Sequence, residues 1–217
     1  MKNKRYILFD LDGTLTDSQE GIFRCFRHAF EKLGTEIPDD ATMRSFLGPP
    51  LTESFRRVLG DGDKAAEGVK IYRERYSTVG LFENRPYDGI AELLSSLQEQ
   101  GYILGVATSK PEPFSRRILE KFGLIGYFET VTGCGLDGSL DTKREVIEET
   151  LRRLGVKDKS EAIMVGDRMH DIIGAREAGL ECIGAGWGFG EISELEGYGA
   201  VRIALTPAEL GEMFLKN

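Results

Sequence analysis

Two hydrophobic patterns alternate along the chain. Short, continuous apolar runs occur at Tyr6–Phe9, Ile103–Ala107 and Ala162–Val165. A run without polar alternation predicts a strand that is covered on both faces. Other segments carry apolar residues at helical spacing. From Tyr87 onward the predicted strands and helices alternate, with a short strand at Tyr127–Val131, and this alternation is typical of a parallel α/β sheet.

A long, largely helical stretch separates the first two predicted strands. A first helix is predicted to be capped by Ser18, and further helices lie near Ala41–Leu47, Leu51–Leu59 and Lys64–Val79. The stretch has about 70 residues, whereas a crossover between parallel strands needs roughly a dozen or more. We therefore expect a doubly wound, Rossmann-like parallel-sheet core formed by residues 1–15 and 84–217, with an all-helical domain inserted as residues 16–83.

The first apolar run ends in a pair of carboxylates. Asp10 and Asp12 follow Phe9, and Gly13 and Thr14 come next. The carboxyl ends of the strands in an open α/β sheet form the crevice in which ligands bind. Gly13 permits a sharp turn, and Thr14 offers a hydroxyl and a backbone N–H beside the carboxylates. The same pattern also occurs in ordinary turns and calcium loops, so by itself it leaves an acidic active site and a plain turn equally open.

Polar groups also follow the second predicted strand. Thr108, Ser109 and Lys110 end it, and Pro111 favours the start of a helix. A hydroxyl at a strand end suits a hydrogen bond to a phosphoryl oxygen, whereas Ser109 or Lys110 beside Pro111 suits a helix cap. The two roles are compatible if Thr108 faces the site.

Two further motifs occur later in the chain. Lys143 begins a predicted helix whose apolar stripe includes Val146 and Ile147. The third apolar run ends in Asp167, and Asp171 follows four residues later. If a helix begins near Arg168, Asp171 lies about one turn into it, on the side that can face the strand ends. A lone lysine on an exposed helix is usually a solvated charge, and it is the place of Lys143 between the second and fourth motifs that favours a role in the site.

In this order the four motifs resemble those of the haloacid dehalogenase superfamily of phosphatases and mutases. The resemblance rests on Asp10-Leu11-Asp12-Gly13-Thr14-Leu15, Ile103–Lys110, Lys143 and Gly166–Asp171, which span nearly the whole chain. It implies the doubly wound core of that superfamily. It also identifies the inserted helical segment with the cap domain that one subclass carries after the first motif.

The resemblance implies a role for each motif residue. Asp10 is the nucleophile that forms an aspartyl-phosphate, and Asp12 acts first as acid and then as base. Catalysis is thus assigned to Asp10, Asp12, Thr108 and Lys143. The residues implied to hold the phosphoryl group are Gly13, Thr14, Thr108, Ser109 and Lys143. The residues implied to ligate Mg²⁺ are Asp10, Asp12 through its backbone carbonyl, Asp167 and Asp171.

The implied activity is Mg²⁺-dependent hydrolysis of a small phosphate monoester. Phe46–Leu51 and Trp187–Gly190 look most like the branch of phosphoglycolate phosphatases and 5′-nucleotidases. Dehalogenases lack the second carboxylate because a halide needs no proton, so Asp12 argues against that activity. A phosphosugar mutase of the β-phosphoglucomutase type shares all four motifs and stays open. A phospho-acceptor signalling module is the alternative from another class, but it needs neither a cap nor Asp12.

Composition narrows the choice of partners. The chain of 217 residues has a net charge of −8 and a pI near 5.0, which disfavours nucleic acid and anionic membranes. No apolar run reaches the roughly 20 residues of a membrane span. Three separated cysteines without metal-ligand spacing favour a reducing cytoplasm. We expect a small phosphorylated metabolite as partner, and either a monomer or a homodimer.

Overall fold

The computed structural model describes residues 3–215, and its main feature is a six-stranded parallel sheet. The strands are β1 (Tyr6–Phe9), β2 (Ile103–Pro111), β3 (Thr130–Cys134), β4 (Ala162–Gly166), β5 (Glu181–Ala185) and β6 (Arg202–Ala204). Their spatial order is β3-β2-β1-β4-β5-β6. This order is that of a doubly wound fold, in which the direction of winding reverses beside the first strand. The ligand crevice of such a fold is therefore expected at the carboxyl ends of β1 and β4.

Ten α-helices lie within the described residues. They are α1 (Gln19–Lys32), α2 (Asp40–Arg44), α3 (Leu51–Leu59), α4 (Asp63–Thr78), α5 (Ile90–Glu99), α6 (Glu112–Lys121), α7 (Lys143–Arg153), α8 (Met169–Glu177), α9 (Ile192–Tyr198) and α10 (Pro207–Phe214). Two short strands, Thr16–Asp17 and Arg85–Pro86, form a separate two-stranded sheet. No helix in residues 3–215 combines the length and the apolar composition that a membrane crossing needs.

The sheet and two helices share a hydrophobic core that fixes where the motif residues lie. Every residue of β1 is buried, and Tyr6 pairs with both Ile103 and Ala162. Leu8 belongs to one cluster with Val146 and Ile147 of α7 and with residues of β4 and α8. Because α7 and α8 are anchored through this cluster, the residues at their N-termini, including Lys143 and Asp171, are held near the strand ends.

The chain divides into two compact units, one up to Asp17 and from Pro86 onward, the other Ser18–Arg85. The second unit contains α1–α4 and has its own aromatic core. The rings of Phe26 and Phe46 lie 4.6 Å apart, those of Phe26 and Tyr72 4.9 Å apart, and those of Phe26 and Phe55 5.1 Å apart. These contacts join α1 to α3 and α4, so the inserted segment buries its apolar side chains within itself.

Two local predictions need correction. Ser18 occupies the N-cap position of α1 as predicted, but its hydroxyl makes no capping hydrogen bond, and its buried Oγ has no hydrogen-bond partner among the described residues. The short strand predicted at Tyr127–Val131 begins later, as β3, because Ile125–Tyr127 forms a 3₁₀ turn. Both differences concern the first residues of a helix or a strand, where a single polar or aromatic residue carries little information about local geometry.

Candidate active site

The loop after β1 is a tight turn that brings its polar groups toward β4. The Asp10 N–H donates to the carbonyl of Val165 at 2.9 Å, and the Gly13 N–H donates to the carbonyl of Thr16 at 2.8 Å. Gly13 has a φ of +82°, and a Cβ there would lie 2.2 Å from Oδ2 of Asp167. A side chain at position 13 would therefore displace Asp167, which explains why glycine is needed at this turn.

Three carboxylates from two strand ends and one helix converge on one point. One oxygen from each of Asp10, Asp167 and Asp171 lies within 4.8 Å of the others. Burial raises the pKa of Asp167 well above its ordinary value, and the charges of Asp171 and Asp10 raise it further. Burial also raises the pKa of Asp171, although Lys143 opposes the shift. The cluster therefore has an excess of negative charge that favours a cation.

Lys143 is the positive charge built into this cluster. Its Nζ lies 2.7 Å from Oδ1 of Asp10 and 2.7 Å from Oδ1 of Asp171, and its side chain is 6% exposed. A capping box formed by Thr142 and Glu145 begins α7 one residue earlier and so fixes the place of Lys143. Burial acts to lower the pKa of Lys143, but Asp10 and Asp171 outweigh it and hold the pKa above its ordinary value.

Asp12 lies beside a second buried lysine. Nζ of Lys110 is 2.5 Å from Oδ2 of Asp12, and the Lys110 side chain is 7% exposed. Oδ1 of Asp12 is buried and has no hydrogen-bond partner among the described residues. From the sequence, Lys110 is one of two candidate helix-cap residues, and its ion pair with Asp12 is not foreseen. No spacing rule could have found it, because the contact joins the last residues of β2 to the loop after β1, which are far apart in the sequence.

The remaining predicted residues differ in how they join the site. The Thr14 hydroxyl donates to Oδ1 of Asp167 at 3.0 Å. Thr108 is buried, and its Oγ1 accepts a hydrogen bond from the Lys110 N–H at 3.2 Å. Ser109 is exposed, and no hydrogen bond or ion pair recorded in residues 3–215 brings it into the cluster. Thr14 thus contacts the acidic cluster directly, Thr108 contacts the backbone of Lys110, and Ser109 lies at the surface.

The acidic cluster fits a hard divalent cation. Its donors are carboxylate oxygens alone, which are the ligands that Mg²⁺ prefers. Asp167 is also held by the backbone N–H of Phe189, which donates to Oδ2 at 2.9 Å. Sequence analysis missed this contact, although the glycine-rich stretch around Phe189 was a signal that another chain segment approaches closely.

Residues 7–185 match the family described as Haloacid dehalogenase-like hydrolase. This chain belongs to that family. The match confirms the family and the enzyme class that were predicted from the four motifs, and it includes every predicted site residue.

Two curated relatives illustrate the range of names among similar proteins. The chain is 46% identical to a 5′-nucleotidase of Pseudomonas aeruginosa over 193 residues, which cover 88% of this chain and 87% of the relative. It is 41% identical to the tyrosine-protein kinase PtkA of Mycobacterium tuberculosis over 189 residues, 87% of this chain. The match spans only 64% of that kinase.

A solved structure supports the same fold. A predicted phosphatase from Clostridium acetobutylicum superimposes with a TM-score of 0.90 at 43% identity, and the match covers 97% of each chain. The predicted α/β fold of the haloacid dehalogenase-like hydrolases is therefore confirmed.

Proposed function

We propose that this hydrolase is a Mg²⁺-dependent phosphatase that cleaves a small phosphate monoester through an aspartyl-phosphate on Asp10. The observation that carries the proposal is the position of Asp10 at the end of β1. Its Oδ1 contacts Lys143 at 2.7 Å, and its carboxylate lies within the acidic cluster of Asp167 and Asp171. This position supports a role in attack on phosphorus, and the positive charge of Lys143 beside Asp10 supports binding of a phosphoryl oxygen.

The residues proposed to hold Mg²⁺ are the carboxylates of Asp10, Asp167 and Asp171 and the backbone carbonyl of Asp12. When bound, the ion offsets the repulsion between an anionic nucleophile and an anionic phosphate. Lys143 contributes a second positive charge, since its Nζ lies 2.7 Å from an oxygen of Asp10 and 2.7 Å from an oxygen of Asp171. Lys143 would therefore orient Asp10 and bind a phosphoryl oxygen as negative charge develops.

The proposed chemistry has two steps that balance through Asp10 and Asp12. In the first, a carboxylate oxygen of Asp10 bonds to phosphorus, the ester P–O bond breaks, and the leaving oxygen takes a proton from Asp12. In the second, Asp12 takes a proton from water, whose oxygen bonds to phosphorus and releases Asp10 and inorganic phosphate. Within residues 3–215, Oδ2 of Asp12 pairs with Lys110 and the buried Oδ1 has no hydrogen-bond partner, so Oδ1 is the oxygen we assign to these proton transfers.

The substrate proposed is a small monoester of the phosphoglycolate type or a nucleotide 5′-monophosphate. The name of the Pseudomonas aeruginosa relative supports the second of these. Kinase activity is not proposed for this chain, because the match to PtkA leaves about a third of that protein uncovered. We assign the choice of leaving group to the inserted unit, Ser18–Arg85, acting as a cap.

The test combines a substrate panel with one variant. The kcat/KM of the purified protein is measured for nucleotide 5′-monophosphates, phosphoglycolate and phosphosugars, with Mg²⁺ present. Asp10→Asn should abolish turnover and the covalent phosphoryl adduct detected by mass spectrometry, whereas Asp88→Asn, at an exposed turn of the same unit, should retain both. An Asp10→Asn variant with more than a few per cent of wild-type activity would rule out Asp10 as the nucleophile.

A further inference from the structure

We propose that the segment Trp187–Glu194, here named the bracing segment, positions the acidic cluster and thereby sets its affinity for Mg²⁺. This inference rests on the proposed function. Within the segment, Trp187 is assigned as a positioning residue that acts through the loop after β1. The segment follows β5, and it contributes no carboxylate to the acidic cluster formed by Asp10, Asp167 and Asp171.

The first contact ties the bracing segment to the loop after β1. Nε1 of Trp187 donates to the carbonyl of Thr14 at 3.0 Å, although the residues are 173 positions apart. The next residue, Gly188, lies so close that a Cβ there would be 2.3 Å from the Asp167 Cβ and 2.3 Å from the Gly13 carbonyl oxygen. The segment therefore packs directly against both the nucleophile's loop and Asp167.

The second contact fixes the orientation of the Asp167 carboxylate. The Phe189 N–H donates to Oδ2 at 2.9 Å, while the Thr14 hydroxyl donates to Oδ1 at 3.0 Å. Both oxygens of this buried side chain are thus held, one from the bracing segment and one from the loop that Trp187 anchors. A Cβ at Gly190 would lie 2.0 Å from the Asp167 carbonyl oxygen, so the backbone of Asp167 is enclosed as well.

The third contact reaches the helix that carries Asp171. Oε1 of Glu194 accepts from the Met169 N–H at 2.8 Å and from Nε of Arg168 at 2.9 Å. Asp171 itself accepts from the Arg168 N–H through Oδ2 at 3.0 Å. The bracing segment therefore contacts Asp167 and the next two residues, where the helix that carries Asp171 begins. One segment holds the relative positions of two of the three clustered carboxylates.

These contacts matter because the clustered carboxylates repel one another. Like charges in a site of low dielectric separate or take up protons unless the surrounding structure holds them. Hydrogen bonds to the neighbours of ligating groups commonly set the affinity for the metal. A donor removed from the bracing segment should therefore weaken Mg²⁺ binding without removing a ligand.

The first test replaces Trp187 by phenylalanine, which keeps an aromatic ring and removes the N–H donor. We expect the dissociation constant for Mg²⁺, measured by calorimetric titration of the purified full chain, to rise about threefold to tenfold, the factor expected for one lost hydrogen bond. The matched control is Tyr102→Phe, which removes the bond from a buried tyrosine hydroxyl to the carbonyl of Phe214. That control should lower the melting temperature and leave Mg²⁺ affinity unchanged.

The second test adds a side chain at Gly188. It keeps the proposal falsifiable if Trp187→Phe changes only the packing of the ring. Gly188→Ala should weaken Mg²⁺ binding by more than tenfold, because the new Cβ displaces Asp167. Gly197 lies in α9, where an added Cβ would meet nothing within 4 Å, so Gly197→Ala should bind Mg²⁺ like the wild type. If Trp187→Phe or Gly188→Ala binds Mg²⁺ as tightly as the wild type, the inference is wrong while the proposed function stands. A wild type that binds no Mg²⁺ would overturn both.

Discussion

Lys143 is the position where one substitution tests both the stability and the chemistry of the site. Lys143→Met keeps most of the side-chain volume and removes the charge that contacts Asp10 and Asp171, each at 2.7 Å. Removing one partner of a buried ion pair costs about 3–5 kcal/mol, because the remaining charge stays buried and uncompensated. For a protein of this size that loss lowers the melting temperature by roughly 2–4 °C per kcal/mol, or about 6–20 °C in all.

The pH at which this measurement is made matters. The pKa of Lys143 lies above its ordinary value of 10.5, so its stabilising contribution is fully present near neutral pH. It is lost only as the pH rises through the raised pKa. Thermal unfolding should therefore be followed at neutral pH with EDTA present, so that no divalent cation replaces the missing charge.

The same variant should lose activity by about 10²–10³ in kcat/KM, the effect expected when one preorganised charge is removed from a developing oxyanion. The matched variant is Lys110→Met, which loses the ion pair to Asp12, a carboxylate that is 22% exposed. We expect this variant to be milder in both assays. A loss of stability below about 1 kcal/mol for Lys143→Met, the range of surface ion pairs, would refute the reasoning. A larger loss of activity for Lys110→Met would show that the roles of the two lysines are exchanged.

Four further predictions concern the metal, the proton donor, pH and substrate choice. Activity should vanish with EDTA and return with Mg²⁺, whereas Ca²⁺, with its larger and looser shell, should inhibit; full activity in EDTA would exclude the metal. Asp12→Asn should lose far more kcat/KM with alkyl than with aryl phosphates, whose leaving groups need no proton; equal losses would contradict its acid role. Because the pKa of Asp167 is raised above 3.8, the stability of the metal-free protein should fall as the pH rises from that value, and Asp167→Asn should reduce this slope in EDTA. Replacing the exposed Arg44 and Thr52 by alanine should change the ranking of esters in the substrate panel; a uniform loss would count against selection by the inserted unit.

The sequence was sufficient to predict the parts of the site that depend on strand ends. Apolar runs located β1 and β4, and parallel strands place their carboxyl ends at one edge, so the meeting of Asp10 with Asp167 followed from the fold. The ion pair between Lys110 and Asp12 and the contact of Trp187 with Thr14 could not be predicted in this way. Those contacts depend on loop conformations and side-chain rotamers, which hydrophobic periodicity does not encode.

The glycines between β5 and α9 indicate a close approach between chain segments, which the sequence predictions did not include. The stretch from Gly184 to Gly190 is rich in glycine, and from the sequence we drew from it only the resemblance to one phosphatase branch. A glycine can also mark the close approach of another chain segment, and Gly188 and Gly190 have this role against Asp167. Sequence alone does not reveal which segment approaches, since that depends on the packing of β5 beside β4.

The strand order has a consequence for synthesis of the chain. Translation produces β1 first, yet Tyr6 pairs with Ile103 on one side and Ala162 on the other. During most of elongation the central strand therefore lacks a partner on one edge, and an unpaired apolar edge favours aggregation. The helical segment Ser18–Arg85 has its own aromatic core and can form while the sheet is still incomplete. We therefore expect the insertion to fold while the sheet is still incomplete, and slowing translation before β4 to increase misfolding more than slowing it after β4.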